Sequence, residues 1–140
     1  MAQNYFKSVI EWDGSMEYPP EVLHMDTAPG FEPSPGVTLR PFFGKRLMLS
    51  HVTFAPGAEA PMHQHPQEQL TFVLSGRLEF TVGNDIHHLE PGDILSIPSN
   101  VPHRALAGPE GCVEVDLFSP IREGFREAVA EAEAQRAGGA

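Results

Sequence analysis

The sequence predicts an all-β domain, a sandwich or small barrel of short strands, with an irregular N-terminal arm and a C-terminal helix. Three observations carry this. Glycine and proline are abundant, 13 and 14 of 140 residues, which calls for frequent turns. Eight short segments of strand-like composition follow one another from Val37 to Phe118, at the spacing of sandwiches and barrels. The last stretch then switches to Ala, Glu and Arg with helical spacing. The length fits one domain, divided as arm 1–36, barrel 37–121, and helix with tail 122–140.

The arm holds Pro19, Pro20, Pro29, Pro33 and Pro35 among the aromatics Tyr5, Phe6, Trp12, Tyr18 and Phe31. Disordered tails usually lack aromatics, so the arm is expected to pack on its own barrel or on a partner subunit. Segments opening at Val37, Leu47, Gln69, Arg77, Ile86, Ile94, His103 and Cys112 read as strands. Pro56-Gly57, Ser75-Gly76, Gly83-Asn84-Asp85, Pro91-Gly92-Asp93 and Gly108-Pro109 supply turns between them. From Arg122 the chain reads as one helix, interrupted by Gly124 and ended by Gly138-Gly139. Phe125, Val129 and Ala132 form a narrow stripe expected to pack on the barrel exterior.

The net charge of −10 argues against nucleic acid, which needs a basic footprint. It allows a small anionic ligand where a metal and an Arg reverse the field locally. Cys112 is the single cysteine, so no intramolecular disulfide forms. No apolar leader and no run of about 18 apolar residues occurs. The expectation is a cytoplasmic protein without a membrane partner.

His63 and His65 flank one residue. In a strand such positions share a face, about 6.5–7 Å apart, and two imidazoles there converge on a metal about 2 Å from each nitrogen. Pro66 interrupts the ladder, so parity does not place Gln69 relative to them. From Gln69 onward, Gln69, Thr71 and Val73 share one face, and Leu70, Phe72 and Leu74 the other. His103 follows the segment Pro98–Pro102, a bend from which a ring reaches inward. His63, His65, Gln69 and His103 are the candidate metal ligands, for one divalent ion such as Zn, Ni, Fe or Mn. His51 is a candidate for a pocket role, and adjacent His87 and His88 read as surface residues near a hairpin.

In the last strand Glu114, Asp116 and Phe118 alternate with Val113, Val115 and Leu117. Asp116, Phe118 and Arg122 at a cavity mouth suit a small carboxylate: Arg clamps it and Asp moves a proton. A structural Asp–Arg pair at the helix start is the alternative. Leu70, Phe72 and Leu74, opposite the cavity face, predict a homodimer, unless the arm covers them.

The run from Gly57 through His63, His65 and Gln69 to Gly76, and the later run from Gly83 through Pro91-Gly92 to His103, resemble the two motifs of the cupin superfamily. The resemblance spans about residues 45–118. It implies a small jelly-roll barrel with its metal inside. Gln69 stands where cupins carry an acid, and a neutral oxygen favours Lewis-acid chemistry over a redox centre. The segments around Gln69–Gly83 and Asp116–Glu123 are similar to pectin-degradation cupins of the KdgF type, which linearise unsaturated uronates. That resemblance implies the metal set above and assigns Asp116, Phe118 and Arg122 to the catalytic neighbourhood. Arg40, before Pro41 at a strand end, is added from its position as a substrate contact. The expected substrate is a 4,5-unsaturated uronate from pectin or alginate breakdown. A quercetinase-type dioxygenase and a non-catalytic sugar- or metabolite-binding cupin are the rival readings.

Overall fold

The computed structural model describes Phe6 and residues 11–138; the expectations for Tyr5 and Gly139 lie outside the described residues. Its elements are β1 (Phe31–Ser34), β2 (Val37–Phe43), β3 (Met48–Phe54), β4 (Glu59–His63), β5 (Glu68–Val82), β6 (Asp85–Leu89), β7 (Ile94–Ile97), β8 (His103–Ser119) and α1 (Gly124–Gly138). All strand pairings are antiparallel. The predicted all-β class with one C-terminal helix holds.

The eight strands are not the eight segments read from the sequence. Ser75-Gly76 and Gly108-Pro109 do not turn the chain; each lies inside a long strand, β5 of 15 residues and β8 of 17. Gly76 and Gly111 take φ of +75° and +77°, and the β5–β8 register slips on both sides of Gly76. A side chain on Gly76 would collide with the carbonyl oxygen of Gly111. These glycines mark a bulge where two long strands bend together. Pro109 sits in the stretch of β8 between its paired residues Ala107 and Cys112, where a missing N–H breaks no ladder bond.

The bend divides the sheet into two layers that share β5 and β8. The first half of β5 and the second half of β8 pair with each other, flanked by β3, β2 and β1 on one side and β7 on the other. Their other halves pair in turn, flanked by β4 and β6. The sheet curls around its interior without closing, with β1 and β6 at the ends of the path. Val37, Val52, Phe54, Val73, Leu78, Phe80, Ile97 and Cys112 fill that interior. Burial pushes the Cys112 thiol up to about 12, so it is an inert core residue.

Strand alternation follows the expected parity. Gln69, Thr71 and Val73 are buried, whereas Leu70 and Leu74 face outward at 41% and 45% exposure. The sheet begins earlier than the composition suggested, because Phe31–Ser34 pairs with β2. The preceding arm is tied down by charge more than by its aromatics. Trp12 and Tyr18 are more than half exposed, while Glu17 bridges Lys45 at 2.7 Å and Arg46 at 2.8 Å.

The helix starts at Gly124, so Arg122 and Glu123 belong to the turn before it. Its stripe does not bury as a unit: Phe125 alone is buried, edge-on to Phe31 at 5.3 Å and to Phe118 at 5.8 Å between ring centroids. Among the described residues no helix is long and apolar enough to cross a membrane.

Candidate metal centre and ligand cavity

One cavity of about 320 Å³ opens between the two layers, at the lower end of the range for small-molecule sites. Its wall includes His63, Gln69, His103, Asp116, Phe118 and Arg122. His65 adjoins it, with its ring centroid 5.6 Å from that of His63, 4.9 Å from His103 and 5.5 Å from Phe118. The ligand nitrogens of the three histidines lie within 4.8 Å of one another. His63 and His65 do not share a strand as expected. His63 ends β4 and pairs with His103 of β8; His65 lies in the following loop, held there by the Asn100 N–H donating to the His65 carbonyl at 2.8 Å.

Backbone carbonyls set the rings. Nδ1 of His63 meets the Pro61 oxygen at 2.8 Å, Nδ1 of His65 the Gln67 oxygen at 3.0 Å, and Nδ1 of His103 the Val101 oxygen at 2.8 Å. A carbonyl only accepts, so each Nδ1 carries the proton and each Nε2 a lone pair. Nε2 of His103 is buried without a partner.

Gln69 completes the set through a chain of oriented bonds. Its Nε2 donates to Thr71 Oγ1 at 2.8 Å, and Thr71 Oγ1 donates to Asp116 Oδ1 at 2.6 Å. The amide oxygen therefore turns to His65, 3.1 Å from Nε2. In these tautomers the contact joins two acceptors. A cation between them removes the repulsion, and the donor set of three imidazoles and one amide oxygen fits a divalent ion.

Asp116 is buried. Burial lifts its carboxyl to about 6, against hydrogen bonds from Thr71, Glu114 and Gln69 and the charge of Arg122. Arg122 caps the wall with its Cζ 5.2 Å from the Phe118 ring centre and 4.4 Å from that of Phe125. Burial lowers its pKa, and Asp116 partly offsets this. Among the described residues no carboxylate lies within ion-pair distance of its guanidinium, so the structural Asp–Arg pair is not formed. Asp116 and Arg122 instead face one cavity as separate charges.

Arg40 does not join them. It alternates with Leu39, which lines the cavity, and its side chain lies on the other face of β2 in a crevice with the arm. His51 is on that outer face too, 3.8 Å from Asp26 of the arm. Thr71, Glu114 and Phe125 went unassigned from the sequence. The only signal for the first two was their alternation with Gln69 and Asp116; Phe125 looked like an ordinary packing residue.

The chain belongs to the cupin family: residues 50–116 match the family described as Cupin domain. Within it, the chain is similar to pectin degradation protein KdgF of Dickeya dadantii, 34% identical over 80 residues that cover 56% of this chain and 73% of that protein. The structure of KdgF from Halomonas sp. superposes with a TM-score of 0.70 at 27% identity, over 76% of this chain and 98% of that one. Dimethylsulfoniopropionate lyase DddQ of Ruegeria pomeroyi is 38% identical over 63 residues, 44% of this chain but 31% of that protein's length.

Two outcomes follow from this geometry. Thr71→Val leaves the Gln69 amide free to rotate, and metal affinity should fall about 10–100-fold in competition with a chelator; unchanged affinity would show that Thr71 does not hold the amide. Burial lowers the pKa of all three imidazoles, His65 to about 4. A base with a lowered pKa stays neutral to lower pH and keeps its lone pair for the metal. Metal content by elemental analysis should therefore hold down to about pH 6 and fall as the pH approaches 4.

Proposed function

We propose that the chain is a metal-dependent isomerase-like enzyme that opens the ring of a 4,5-unsaturated uronate from pectin or alginate breakdown. The observation that carries this reading is the convergence of a neutral His63–His65–Gln69–His103 donor set with Asp116, Phe118 and an unpaired Arg122 in one cavity. Its nearness to the KdgF proteins supports it.

A bound divalent ion would supply Lewis-acid polarisation of substrate oxygens. Arg122 takes the substrate carboxylate, its guanidinium held in place by stacking on Phe118 and Phe125. Phe118, wedged between His65 and Phe125, presents an apolar face to the sugar ring. Asp116 accepts the proton of the C1 hydroxyl as the bond from C1 to the ring oxygen breaks and the C1 carbonyl forms. The released ring oxygen becomes the enol oxygen on C5. Asp116 then delivers the proton to C4, and the C5 ketone forms, so the product is an isomer of the substrate. A carboxyl raised to about 6 is suited to both transfers near neutral pH.

The DddQ relative and the apolar inner wall of Val37, Val52, Phe54 and Phe80 support a second reading, a lyase acting on a small carboxylate with a bulky, weakly hydrated cationic group. The two readings separate in one experiment. Asp116→Asn should keep its metal and lose at least about 100-fold in consumption of the unsaturated uronate, followed by ultraviolet absorbance. Wild-type protein that leaves the uronate untouched but releases dimethyl sulfide from dimethylsulfoniopropionate would overturn the first reading in favour of the second.

The outward face of Leu70 and Leu74, next to half-buried Phe72 and Leu117, supports a homodimer of an otherwise water-exposed sheet. Light scattering should give a mass near twice 15.3 kDa, reduced to one chain by Leu70→Glu with Leu74→Glu. The single cysteine, buried and unpaired, is in keeping with a cytoplasmic location.

A further inference from the structure

Glu114 lines the same cavity, yet the proton transfer above does not use it. On β8 it lies two residues before Asp116 on the inward face. Across the ladders it faces Val52 of β3 and Val73 of β5, and all three are 2% exposed. Leu39 of β2 pairs with Val52, and Phe54 with Val37, so the adjoining wall is carbon. Among the described residues no cation pairs with Glu114.

An ionised carboxylate between two valines is strongly disfavoured. Burial, with the Asp116 charge second, holds the proton on Glu114 well above the usual carboxylate range. A neutral acid has one donor, and the neighbouring Asp116 carboxylate, whose charge acts on Glu114, is the acceptor for it. One of its oxygens, Oε2, is buried with no partner.

We propose that Glu114 selects the ligand: its neutral carboxyl, short of one partner, accepts a hydrogen bond from a hydroxyl of the bound acid, at the end of the Gln69–Thr71–Asp116 chain farthest from the histidines. The cavity then takes hydroxylated sugar acids and discriminates against acids of similar shape that present carbon there. This rests on reading the cavity as a carboxylate site of the kind proposed above. The principle is general, because a site built to bond a hydroxyl loses that bond with an analogue lacking it and leaves its own polar atom unpaired.

The test uses the full chain loaded with zinc, and two probes, D-galacturonate and tetrahydropyran-2-carboxylate, titrated by calorimetry. Wild type should prefer galacturonate. Glu114→Gln, which keeps a donor for Asp116 and an acceptor for the ligand, should keep the preference. Glu114→Leu should shrink it on the order of tenfold through weaker galacturonate binding, with zinc content and affinity for the unhydroxylated acid unchanged. A Glu114→Leu protein with the wild-type ratio, or a Glu114→Gln protein that behaves like Glu114→Leu, overturns the proposal. Equal binding of both acids by wild type overturns the role of Glu114 and leaves the carboxylate site standing. Binding of neither overturns both.

Discussion

The centre of this protein depends on the direction of one short hydrogen-bond chain. An ionised Asp116 can only accept, so Thr71 must donate to it. The Thr71 oxygen is then left as an acceptor, and the nitrogen of the Gln69 amide turns toward it. The amide oxygen is thereby aimed at His65. Backbone carbonyls direct the three rings by the same logic. The outcome is a cluster of lone pairs with no donor among them, an arrangement that a cation stabilises. The group proposed to move protons is thus also the group that orients the Gln69 amide toward the histidines, and the two share one buried network.

The fold makes this possible by bending its two longest strands. A straight strand would separate His103 from Phe118 by roughly 50 Å. In the structure both line one cavity, because β8 folds over at the Gly111 bulge and β5 follows it at Gly76. One strand can then carry a histidine at its first residue and both Asp116 and Phe118 near its last. Close approach of the two backbones at the bend excludes any Cβ at Gly76, so the bend needs glycine there.

Much of this was legible in the sequence, in an uneven way. The His-x-His and the distant His103 read correctly as a cluster, and parity placed Gln69 beside Thr71 and Asp116 beside Glu114 and Phe118. What failed were inferences from local signals with two meanings. Gly-containing pairs mark turns or bulges alike, and only partner strands distinguish them, so Ser75-Gly76 and Gly108-Pro109 read as turns between strands. Arg40 suggests itself by its place before Pro41 at a strand end, a position that does not say which face of β2 it occupies. His65 converges with His63 through a loop bond from Asn100, a contact that spacing does not encode. Thr71 and Glu114 matter because of what they touch, and nothing in their own residue types announces it.

The cupin match ends at residue 116, whereas Phe118, Arg122 and Phe125 lie beyond it. The guanidinium is carried by the turn before α1, and its stacking partner Phe125 belongs to a helix that otherwise scarcely enters the core. The molecule is therefore modular in a specific sense. The sheet and the loop after β4 hold the histidines, and a terminal segment that buries little of itself supplies the guanidinium. Exchange of about a dozen residues after β8 would change the charge and shape of the cavity mouth without disturbing the strands.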